Sequence, residues 1–374
     1  MKLKILQENL NEAFHITSRF TSSHVQLPVL ANVLLSAKNN KLLVSATNLE
    51  MSVSITLGAQ VEGEGEITVP SRVITDLVSN LPLGTISLES EKEQLIISGE
   101  EFKSNISGMN SSDYPSLPKE IGKTSLNLEN KALIEGLSQV LFAVSTDETR
   151  PFLTGTLFVF KGKEALIVAT DGFRLSRKKI TLDSNIKEEK IIIPKGILGE
   201  LTRLLKGENV KFEYKKDDKQ VIFGVDKMIL ASRVIEGEFP DFERIIPKTS
   251  NIKVLLDKEE LLRAIKLTSV FAREAANVVK IIIRKDAIEL AAESQLSGSG
   301  ENKVDARVEF LEGDYDDSKR LSIAFNYRFL EDFVNSVAGE EVQISLNDAN
   351  SPGVFTDPKD SNYLHLIMPV RIQT

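Results

Sequence analysis

The chain has 374 residues, of which 41% are apolar and 27% charged, and these proportions are ordinary for a soluble globular protein of two or three domains. Its formal net charge of −8 argues against bulk attraction to nucleic acid, and the lack of cysteine excludes disulfides, thiol nucleophiles and thiolate metal sites. Because no apolar run approaches the ~20 residues of a membrane-spanning helix, and no signal-peptide pattern follows Met1, the sequence favours a cytoplasmic protein.

Charge is unevenly distributed along the chain. Residues 1–121 contain 9 Lys and Arg against 14 Asp and Glu, residues 122–249 contain 22 against 19, and residues 250–374 contain 15 against 21. The three segments therefore carry −5, +3 and −6, and only the middle one is net basic.

The same three segments are imperfect copies of one unit. Related strings end a predicted strand in each copy: SATN at 45–48, VATD at 168–171 and AAES at 291–294. Their central alanines, Ala46, Ala169 and Ala292, are spaced by 123 residues. A fixed period indicates a repeated folding unit, so we predict three tandem domains with the boundaries 1–121, 122–249 and 250–374.

Two amphipathic helices recur in each copy. Apolar residues at helical spacing predict a first helix over residues 10–17, 133–144 and 261–270. Asp257 with Glu260 resembles a capping box before the third of these helices. A second helix follows an apolar strand in each copy, and its apolar positions share the spacing i, i+1, i+4, i+8. These positions are Val73, Ile74, Leu77 and Leu81; Ile197, Leu198, Leu201 and Leu205; and Phe329, Leu330, Phe333 and Val337.

Short alternating runs between the helices predict strands of about 4–8 residues. Two helices and many strands in each copy predict an α+β fold, in which helices cover one face of antiparallel sheets. The Gly-rich segment 297–300 and the acidic tract 312–317 are interpreted as surface loops. If the tandem domains curve steadily, end-to-end association of two chains would close a ring and remove exposed strand edges.

The stretch IVATDGFRLSR (167–177) carries the clearest local signal. Asp171-Gly172 between two extended runs predicts a hairpin, because glycine tolerates the positive φ that the turn requires. Asp171 and Arg174 form a conceivable catalytic pair, although a turn aspartate and a structural or ligand-binding arginine are far more common.

Other chemical signals are missing from the sequence. His15, His24 and His365 do not have the spacing of a metal site, and no glycine motif has the strand-and-helix context of a phosphate-binding loop. We therefore predict no metal, no cofactor and no catalytic residues.

Five motifs, in their order and spacing, resemble the bacterial DNA polymerase III beta subunit family. They are QLPVLANVLL (26–35), TNLEMSV (47–53), VATDGFRL (168–175), EGEFPDFERIIP (236–247) and IMPVR (367–371). Together with the threefold repeat, this resemblance covers the whole chain.

The resemblance implies a DNA clamp fold, in which two three-domain chains associate head to tail into a ring with helices lining the hole. Such a sliding clamp encircles duplex DNA without reading its sequence and tethers the polymerase, which confers processivity without any catalytic activity, 3′–5′ exonuclease included. The implied partners are duplex DNA, a second copy, the polymerase III alpha subunit, an ATP-driven clamp loader, and repair polymerases, ligase and mismatch-repair proteins that carry clamp-binding peptides. The implied location is the cytoplasm, at replication forks on the nucleoid, without a membrane.

The family binds partner peptides in a pocket between its second and third domains, and the matching positions here are carried over by motif. Leu, Ile, Met and Pro would supply an apolar floor, and two arginines the rim. Phe173 stands where the family often has histidine, and Phe329 where it has tyrosine. The implied pocket residues are Arg150, Leu153, Thr170, Gly172, Phe173, Arg174, Leu175, Pro240, Ile245, Asn326, Phe329, Leu366, Ile367, Met368, Pro369, Val370 and Arg371.

Basic residues on the predicted helices, with His24 in a loop where the family often has arginine, form the implied DNA-facing set. They are Arg19, His24, Arg72, Lys131, Lys195, Arg203, Lys206, Arg263, Lys266, Arg273 and Arg328. Contacts with a second copy are expected at Lys103, Asn105, Ile106, Phe271, Ala275, Lys303, Asp305 and Arg307. A weakly positive lining fits sliding, because strong phosphate contacts would hold the ring in place.

Two other functions stay open at this point. One is a repeat scaffold that binds peptides but never encircles DNA. Retention on circular DNA would distinguish this scaffold from a ring-shaped clamp. The other is an enzyme that uses Asp171 and Arg174.

Overall fold

A computed structural model describes residues 1–22, 27–123, 125–311, 316 and 320–371. The chain forms two compact units. Unit 1 consists of residues 1–130 and 199–234, and unit 2 consists of residues 131–198 and 235–374. His24 and the acidic tract 312–317, apart from Asp316, lie outside the described residues.

The helices and strands of the described chain follow the predicted repeat. The helices are α1 Gln7–Thr17, α2 Ser71–Ser79, α3 Asn130–Val140, α4 Lys195–Leu204, α5 Lys258–Ala272 and α6 Tyr327–Ser336. The strands are β1 Lys2–Leu6, β2 Asn32–Lys38, β3 Lys41–Thr47, β4 Met51–Gly58, β5 Gln60–Gly63, β6 Gly65–Pro70, β7 Thr85–Glu91, β8 Gln94–Ser98, β9 Lys103–Ser107, β10 Leu126–Leu128, β11 Gly155–Thr170, β12 Arg174–Pro194, β13 Val210–Lys215, β14 Gln220–Val225, β15 Met228–Arg233, β16 Ile252–Asp257, β17 Val278–Ile283, β18 Ala287–Ser294, β19 Gly298–Phe310, β20 Ser322–Asn326, β21 Glu341–Leu346, β22 Gly353–Asp357 and β23 Asp360–Ile367.

The described strands pair antiparallel throughout, as predicted. Unit 1 contains a five-stranded sheet of order β5-β1-β7-β8-β9 and an eight-stranded sheet of order β10-β13-β14-β15-β4-β3-β2-β6. Unit 2 contains a ten-stranded sheet of order β11-β12-β23-β22-β21-β16-β19-β18-β17-β20. Among the described helices, none is long and apolar enough to cross a membrane.

Two strand pairings join consecutive repeats. In the first junction, β4 pairs with β15, and Val53 lies opposite Leu230. In the second junction, β12 pairs with β23, and Ser176 lies opposite His365. Each junction therefore joins the strand after one repeat's hairpin to the last strand of the following repeat.

The first helix of each repeat forms because its apolar stripe is buried. Leu10, Leu133 and Leu261 are buried at equivalent positions of α1, α3 and α5. The carboxylate of Asp257 accepts a hydrogen bond from the backbone N–H of Glu260 at 2.9 Å, which confirms the cap of α5. Two details were wrong: residues 141–144 lie beyond α3, and Val270 on α5 is exposed rather than buried.

The second helices are confirmed: all four predicted apolar positions of the second repeat are buried, whereas α2 buries only part of its predicted face. Ile74, Leu198 and Leu330 are buried at equivalent positions. Val73 is exposed, and Leu81 lies beyond the end of α2 at Ser79.

Two predictions about strands and loops were wrong. Strands of about 4–8 residues were predicted, whereas β11 has 16 residues and pairs with the 21-residue β12 through register shifts near Gly162. Residues 298–300 are not a loop but the beginning of β19. Glycine suits position 300, because a Cβ there would lie 2.5 Å from the ring of Phe271 and would displace it.

Candidate functional site

The hairpin between β11 and β12 is a four-residue turn that its own side chains hold. The Oδ1 of Asp171 accepts hydrogen bonds from the backbone N–H groups of Phe173 at 2.9 Å and Arg174 at 3.0 Å. Thr170 Oγ1 donates to the carbonyl of Arg174 at 2.6 Å, and Gly172 takes φ 93°, which favours glycine. The predicted hairpin is confirmed, and the turn uses the carboxylate of Asp171 structurally.

The guanidinium of Arg174 is fully engaged beneath this turn. Its Nε donates to Asp171 Oδ2 at 3.0 Å, its Nη1 to Asp332 Oδ2 at 2.5 Å, and its Nη2 to the carbonyl of Phe142 at 2.7 Å. The ring of Phe329 lies 4.4 Å from the guanidinium carbon. Arg174 thus fastens the turn to α6 and to the segment after α3, and this argues against a catalytic role for the Asp171–Arg174 pair.

A cavity of about 310 Å³ opens beside this turn within unit 2. The hairpin supplies one wall, the segment 240–245 a second, the end of β23 a third and residues 150–153 a fourth. Leu366 lies at the end of β23, and the backbone N–H of Met368 donates to the carbonyl of Phe173 at 2.8 Å. The lining residues are Arg150, Phe152, Leu153, Thr170, Gly172, Arg174, Leu175, Pro240, Asp241, Phe242, Ile245, Leu366 and Met368.

Ten of the residues predicted for a peptide pocket line this cavity: Arg150, Leu153, Thr170, Gly172, Arg174, Leu175, Pro240, Ile245, Leu366 and Met368. Seven predicted residues do not line it: Phe173, Asn326, Phe329, Ile367, Pro369, Val370 and Arg371. Phe173 is 63% exposed at the tip of the turn, and Ile367 is buried in the core. The chain leaves the strand at Ile367, so residues 368–371 are not part of the C-terminal strand.

The remaining mismatches have local causes. Asn326 caps α6 by accepting from the N–H of Arg328 at 3.0 Å, and Val370 N–H donates to the carbonyl of Ala324 at 2.8 Å. Sequence reasoning missed Phe152, Asp241 and Phe242 in the lining. Asp241 and Phe242 lie inside the motif 236–247, and Phe152 lies between the predicted residues Arg150 and Leu153, so treating each segment as a continuous wall would have included all three.

The cavity combines an apolar floor with charged groups at its rim. Leu153, Leu175 and Leu366 are buried beneath it. Arg150 reaches the rim, where its Nε donates to Asp147 Oδ2 at 2.9 Å. This arrangement suits a short apolar peptide whose polar groups meet Arg150.

Behind the cavity, a buried polar pair spans the second junction. Ser176 Oγ lies 2.6 Å from His365 Nδ1, and His365 is stacked on Phe333 with ring centroids 5.5 Å apart. Burial, with a smaller contribution from the charge of Arg174, holds the pKa of His365 well below its ordinary value. The imidazole is therefore neutral in the folded chain at neutral pH.

Stability is expected to fall as the pH falls below about 6.5, because the unfolded chain protonates His365 there while the folded chain resists it. The loss per pH unit approaches about 1.4 kcal/mol for this one proton, until the folded pKa is reached. Urea unfolding of the full chain between pH 5 and pH 8 measures it. His365→Phe keeps an aromatic ring against Phe333 and should remove this part of the slope.

The matched control is His15→Gln, since His15 is exposed on α1. The control should keep the pH dependence of the unaltered chain. An identical slope in His365→Phe would contradict the assignment to His365.

Further along the same strand, Lys178 is buried between two carboxylates. Its Nζ donates to Glu135 Oε1 at 2.6 Å and to Asp360 Oδ2 at 2.5 Å. Burial alone would lower the pKa of Lys178, but hydrogen bonds and charge from these carboxylates raise it above the ordinary value. Lys178 thus ties α3 to β23 across the second junction.

The predicted DNA-facing cations in the described chain are all exposed. They fall into two groups, those paired with a carboxylate and those without such a pair. Arg19 and Arg203 both contact Glu200, at 2.9 and 2.8 Å, and Lys206 lies 2.7 Å from Glu12. Arg72 is 3.9 Å from Asp76. Within the described residues, no ion pair involves Lys131, Lys195, Arg263, Lys266, Arg273 or Arg328. His24 lies outside the described residues.

The residues predicted to contact a second copy lie on two free strand edges and beside α5. Lys103, Asn105 and Ile106 belong to β9, which ends its sheet. Lys303 and Asp305 lie on the part of β19 that pairs only with β18 among the described strands, and Arg307 lies opposite Leu255 of β16. Phe271 and Ala275 are half-buried at and after the end of α5. Ile106 is buried, unlike its neighbours on β9.

No cluster of three or more His, Asp or Glu side chains in the described ranges is arranged to hold a metal ion.

The fold and these surfaces define a class of protein. Three α+β repeats joined by continuous antiparallel sheets are the three-domain clamp fold. The DNA polymerase sliding clamp from Bacillus subtilis has the same fold, with a TM-score of 0.94 and 27% identity over the full length of both chains. The DNA polymerase III beta subunit from Thermotoga maritima matches with a TM-score of 0.90 and 26% identity, again over both full chains.

Sequence comparison gives the family. Models of the DNA polymerase III beta subunit match in order: the N-terminal domain at residues 1–118, the central domain at 127–241 and the C-terminal domain at 243–371. The beta sliding clamp of Staphylococcus aureus is 29% identical across 99% of both chains, and that of Staphylococcus epidermidis is 28% identical. The chain belongs to the DNA polymerase III beta subunit family.

Proposed function

We propose that this chain acts as a DNA replication sliding clamp, in which two copies associate head to tail into a ring that encircles duplex DNA. It tethers the polymerase and confers processivity without catalysis of its own. The observation that carries this proposal is that, among the described strands, β9 of the first repeat and residues 298–305 of β19 in the third repeat each have an unpaired edge. These edges correspond to the strands that pair at both internal junctions.

The edges are β9 and residues 298–305 of β19. β9 is the last strand of the first repeat, as β15 and β23 are of the second and third. Residues 298–305 follow the hairpin of the third repeat, as β4 and the start of β12 follow those of the first and second. A head-to-tail contact between these edges uses different surfaces on each copy, so it closes a ring when the rotation allows.

The internal registers specify how the two edges would meet. Val53 lies opposite Leu230, and Ser176 lies opposite His365. By the 123-residue spacing of the repeats, Ser299 is equivalent to Val53 and Ser176. By the strand pairings within each repeat, Ser104 is equivalent to Leu230 and His365. We therefore expect Ser104 of one copy opposite Ser299 of the other, which would supply ladder hydrogen bonds to both free edges.

DNA contact is assigned to the exposed cations of the helices. The cations without an ion pair should contribute more to DNA binding than those paired with a carboxylate. A cation already neutralised by a carboxylate releases few counterions from DNA, whereas a free one releases about one. Lys206 is paired with Glu12, but Lys266 carries no ion pair within the described chain. The unpaired cations should therefore dominate the salt dependence of DNA binding.

Replacing Lys266 with glutamine should reduce the magnitude of the negative slope of log affinity against log salt by about 1, because one phosphate contact is lost. Anisotropy of a labelled duplex over a salt series measures this slope. The matched control is Glu12→Gln, which frees Lys206 from its ion pair. This change should increase the magnitude of the slope. Equal changes in the same direction would contradict the division into paired and free cations.

Partner peptides are assigned to the cavity beside Arg150. Its apolar floor suits the short peptides of a polymerase III alpha subunit, a clamp loader, and repair polymerases, ligase and mismatch-repair proteins. The chain would act in the cytoplasm at replication forks, and its domains would be residues 1–121, 122–249 and 250–374. No cofactor takes part in this function.

The experiment that tests this function measures how much of the protein is retained on a nicked circular plasmid after loading by a matching clamp loader. Retention is compared before and after the plasmid is linearised. Retention on circles and loss from linear DNA would support the topological link. Equal retention on both would mean direct DNA binding and would overturn the ring. Failure to load, when a known clamp loads in parallel, would favour a peptide-binding scaffold that never encircles DNA.

A further inference from the structure

Arg150 lines the cavity with part of its guanidinium unused. Its Nε donates to Asp147 Oδ2 at 2.9 Å, and its Nη2 donates to the carbonyl oxygen of Asp171 at 3.5 Å. Within the described residues, its Nη1 forms no hydrogen bond. Arg174 also lines the cavity, but all three of its nitrogens are engaged. The guanidinium of Arg150 can therefore donate to a bound peptide, provided that it is held towards the cavity.

The glycine of the hairpin leaves room for this guanidinium. Gly172 has φ 93°, and a Cβ built on it would lie 3.2 Å from Nη1 of Arg150. Since both residues line the cavity, the guanidinium lies across the glycine at the cavity wall. A side chain at position 172 would push the guanidinium out of this place.

The carboxylate of Asp147 is itself fixed by its own loop. Its Oδ1 accepts hydrogen bonds from the backbone N–H of Thr149 at 3.0 Å and from the Thr149 hydroxyl at 2.6 Å. Hydrogen bonds from Thr149 and then from Arg150 hold the pKa of Asp147 below its ordinary value, so the carboxylate is ionised at neutral pH. One oxygen of Asp147 thus fixes the loop, and the other faces Nε of Arg150.

The first junction builds the same turn without an arginine. Leu27 and Leu30 lie 123 residues before Arg150 and Leu153. The backbone N–H of Leu30 donates to the carbonyl of Leu27 at 3.1 Å, and that of Leu153 donates to the carbonyl of Arg150 at 2.9 Å. Because leucine cannot form an ion pair, the turn does not need one to fold. The Asp147–Arg150 pair is therefore an addition at the cavity and not a requirement of the repeat.

We propose that Asp147 is a positioning residue for peptide binding, which holds the guanidinium of Arg150 across Gly172 with its free donors available to the ligand. This inference rests on the proposed binding of partner peptides in the cavity and adds the residue that prepares it. A guanidinium that is fixed before binding loses less side-chain freedom when the peptide docks. The acceptor of suitable chemistry is a main-chain carbonyl of the peptide, because Asp147 already offsets the charge of Arg150.

The test measures the dissociation constant of a labelled peptide from the polymerase III alpha subunit by fluorescence anisotropy, in full-length variants. Asp147→Asn keeps an oxygen for Thr149 but presents an amide NH₂ to Nε of Arg150, so the loop is retained and the acceptor is lost. This change should weaken binding about fivefold, which is the cost of immobilising one long side chain. In an Arg150→Met background, the same change should alter binding by less than about twofold, because no guanidinium is left to position.

Glu148→Gln is the matched control, because Glu148 is exposed in the same loop and forms no ion pair with Arg150 within the described chain. It should leave the dissociation constant unchanged. The side chains of Asp147 and Arg150 are 39% and 41% exposed, so every variant is expected to fold, and circular dichroism checks this.

Two results would contradict the inference in different ways. Equal losses from Asp147→Asn in both backgrounds, or no loss in either, would overturn the positioning role while the cavity stands as the peptide site. An unaltered chain that does not bind the peptide would overturn the assignment of the cavity and, with it, the role of Asp147.

Discussion

Replacing Arg174 with alanine is expected to lower the free energy of local opening around the hairpin by about 3 kcal/mol. The side chain is 11% exposed and joins two carboxylates and a carbonyl oxygen, so its removal breaks two ion pairs and a charge-assisted hydrogen bond at partly buried groups. Hydrogen exchange of the backbone amides in β12 and β23 measures this local free energy. The loss should concentrate around the second junction, where Arg174 lies.

Two further variants separate the role of Arg174 from a general effect of losing an arginine. Arg177→Ala removes a half-buried arginine from the same strand and should change the exchange free energy by about 0.5 kcal/mol or less. Asp332→Ala combined with Arg174→Ala should cost less than the sum of the single changes, because each single change already breaks their ion pair. Strict additivity would show that the 2.5 Å contact with Asp332 contributes nothing to stability.

Arg174 also shows where sequence reasoning stops. The pattern identified its hairpin correctly, because Asp171-Gly172 between extended runs is a local signal. Its partner Asp332 lies 158 residues away, and helical spacing predicts only that this position faces away from the core. The engagement of Arg174 depends on strand pairing between repeats, which no local pattern contains.

The helices were predictable because their apolar spacing is repeated three times in one order. The errors arose where burial depends on neighbouring repeats. Val270 was predicted to be buried because it shares helical spacing with Leu261 and Ile265, which are buried. The side chain of Val270 is instead exposed, and it faces away from its own repeat. Residues 298–300 were predicted as a loop because glycines usually mark one, whereas Gly300 admits the ring of Phe271 beside a strand.

The cavity could not be predicted from the residues alone, because its walls come from four segments that are distant in the sequence. The resemblance to a family placed ten of its thirteen lining residues. It failed where this chain leaves the strand at Ile367 and where Phe329 stacks on Arg174 instead of reaching the cavity. The missed Phe242 is buried beside Leu175, so it contributes to the floor as packing and not as an exposed anchor.

Replacing Ile245 with aspartate is expected to weaken peptide binding about 100-fold. Ile245 lines the cavity and is 46% exposed, so a carboxylate there stays solvated in the free chain and the fold is retained. An apolar peptide residue that enters the cavity would bury this carboxylate without a partner, and the cost falls on the complex alone. Fluorescence anisotropy with a labelled peptide from the polymerase III alpha subunit measures the dissociation constant.

Leu311→Asp provides a matched control, because Leu311 is 44% exposed in the same unit and does not line the cavity. It should bind the peptide as tightly as the unaltered chain. The Ile245→Asp variant should also remain dimeric and stay on circular DNA, since neither free strand edge includes Ile245. Loss of peptide binding with retention on DNA would therefore separate the two surfaces, whereas unchanged peptide binding would exclude this cavity as the site where partners dock.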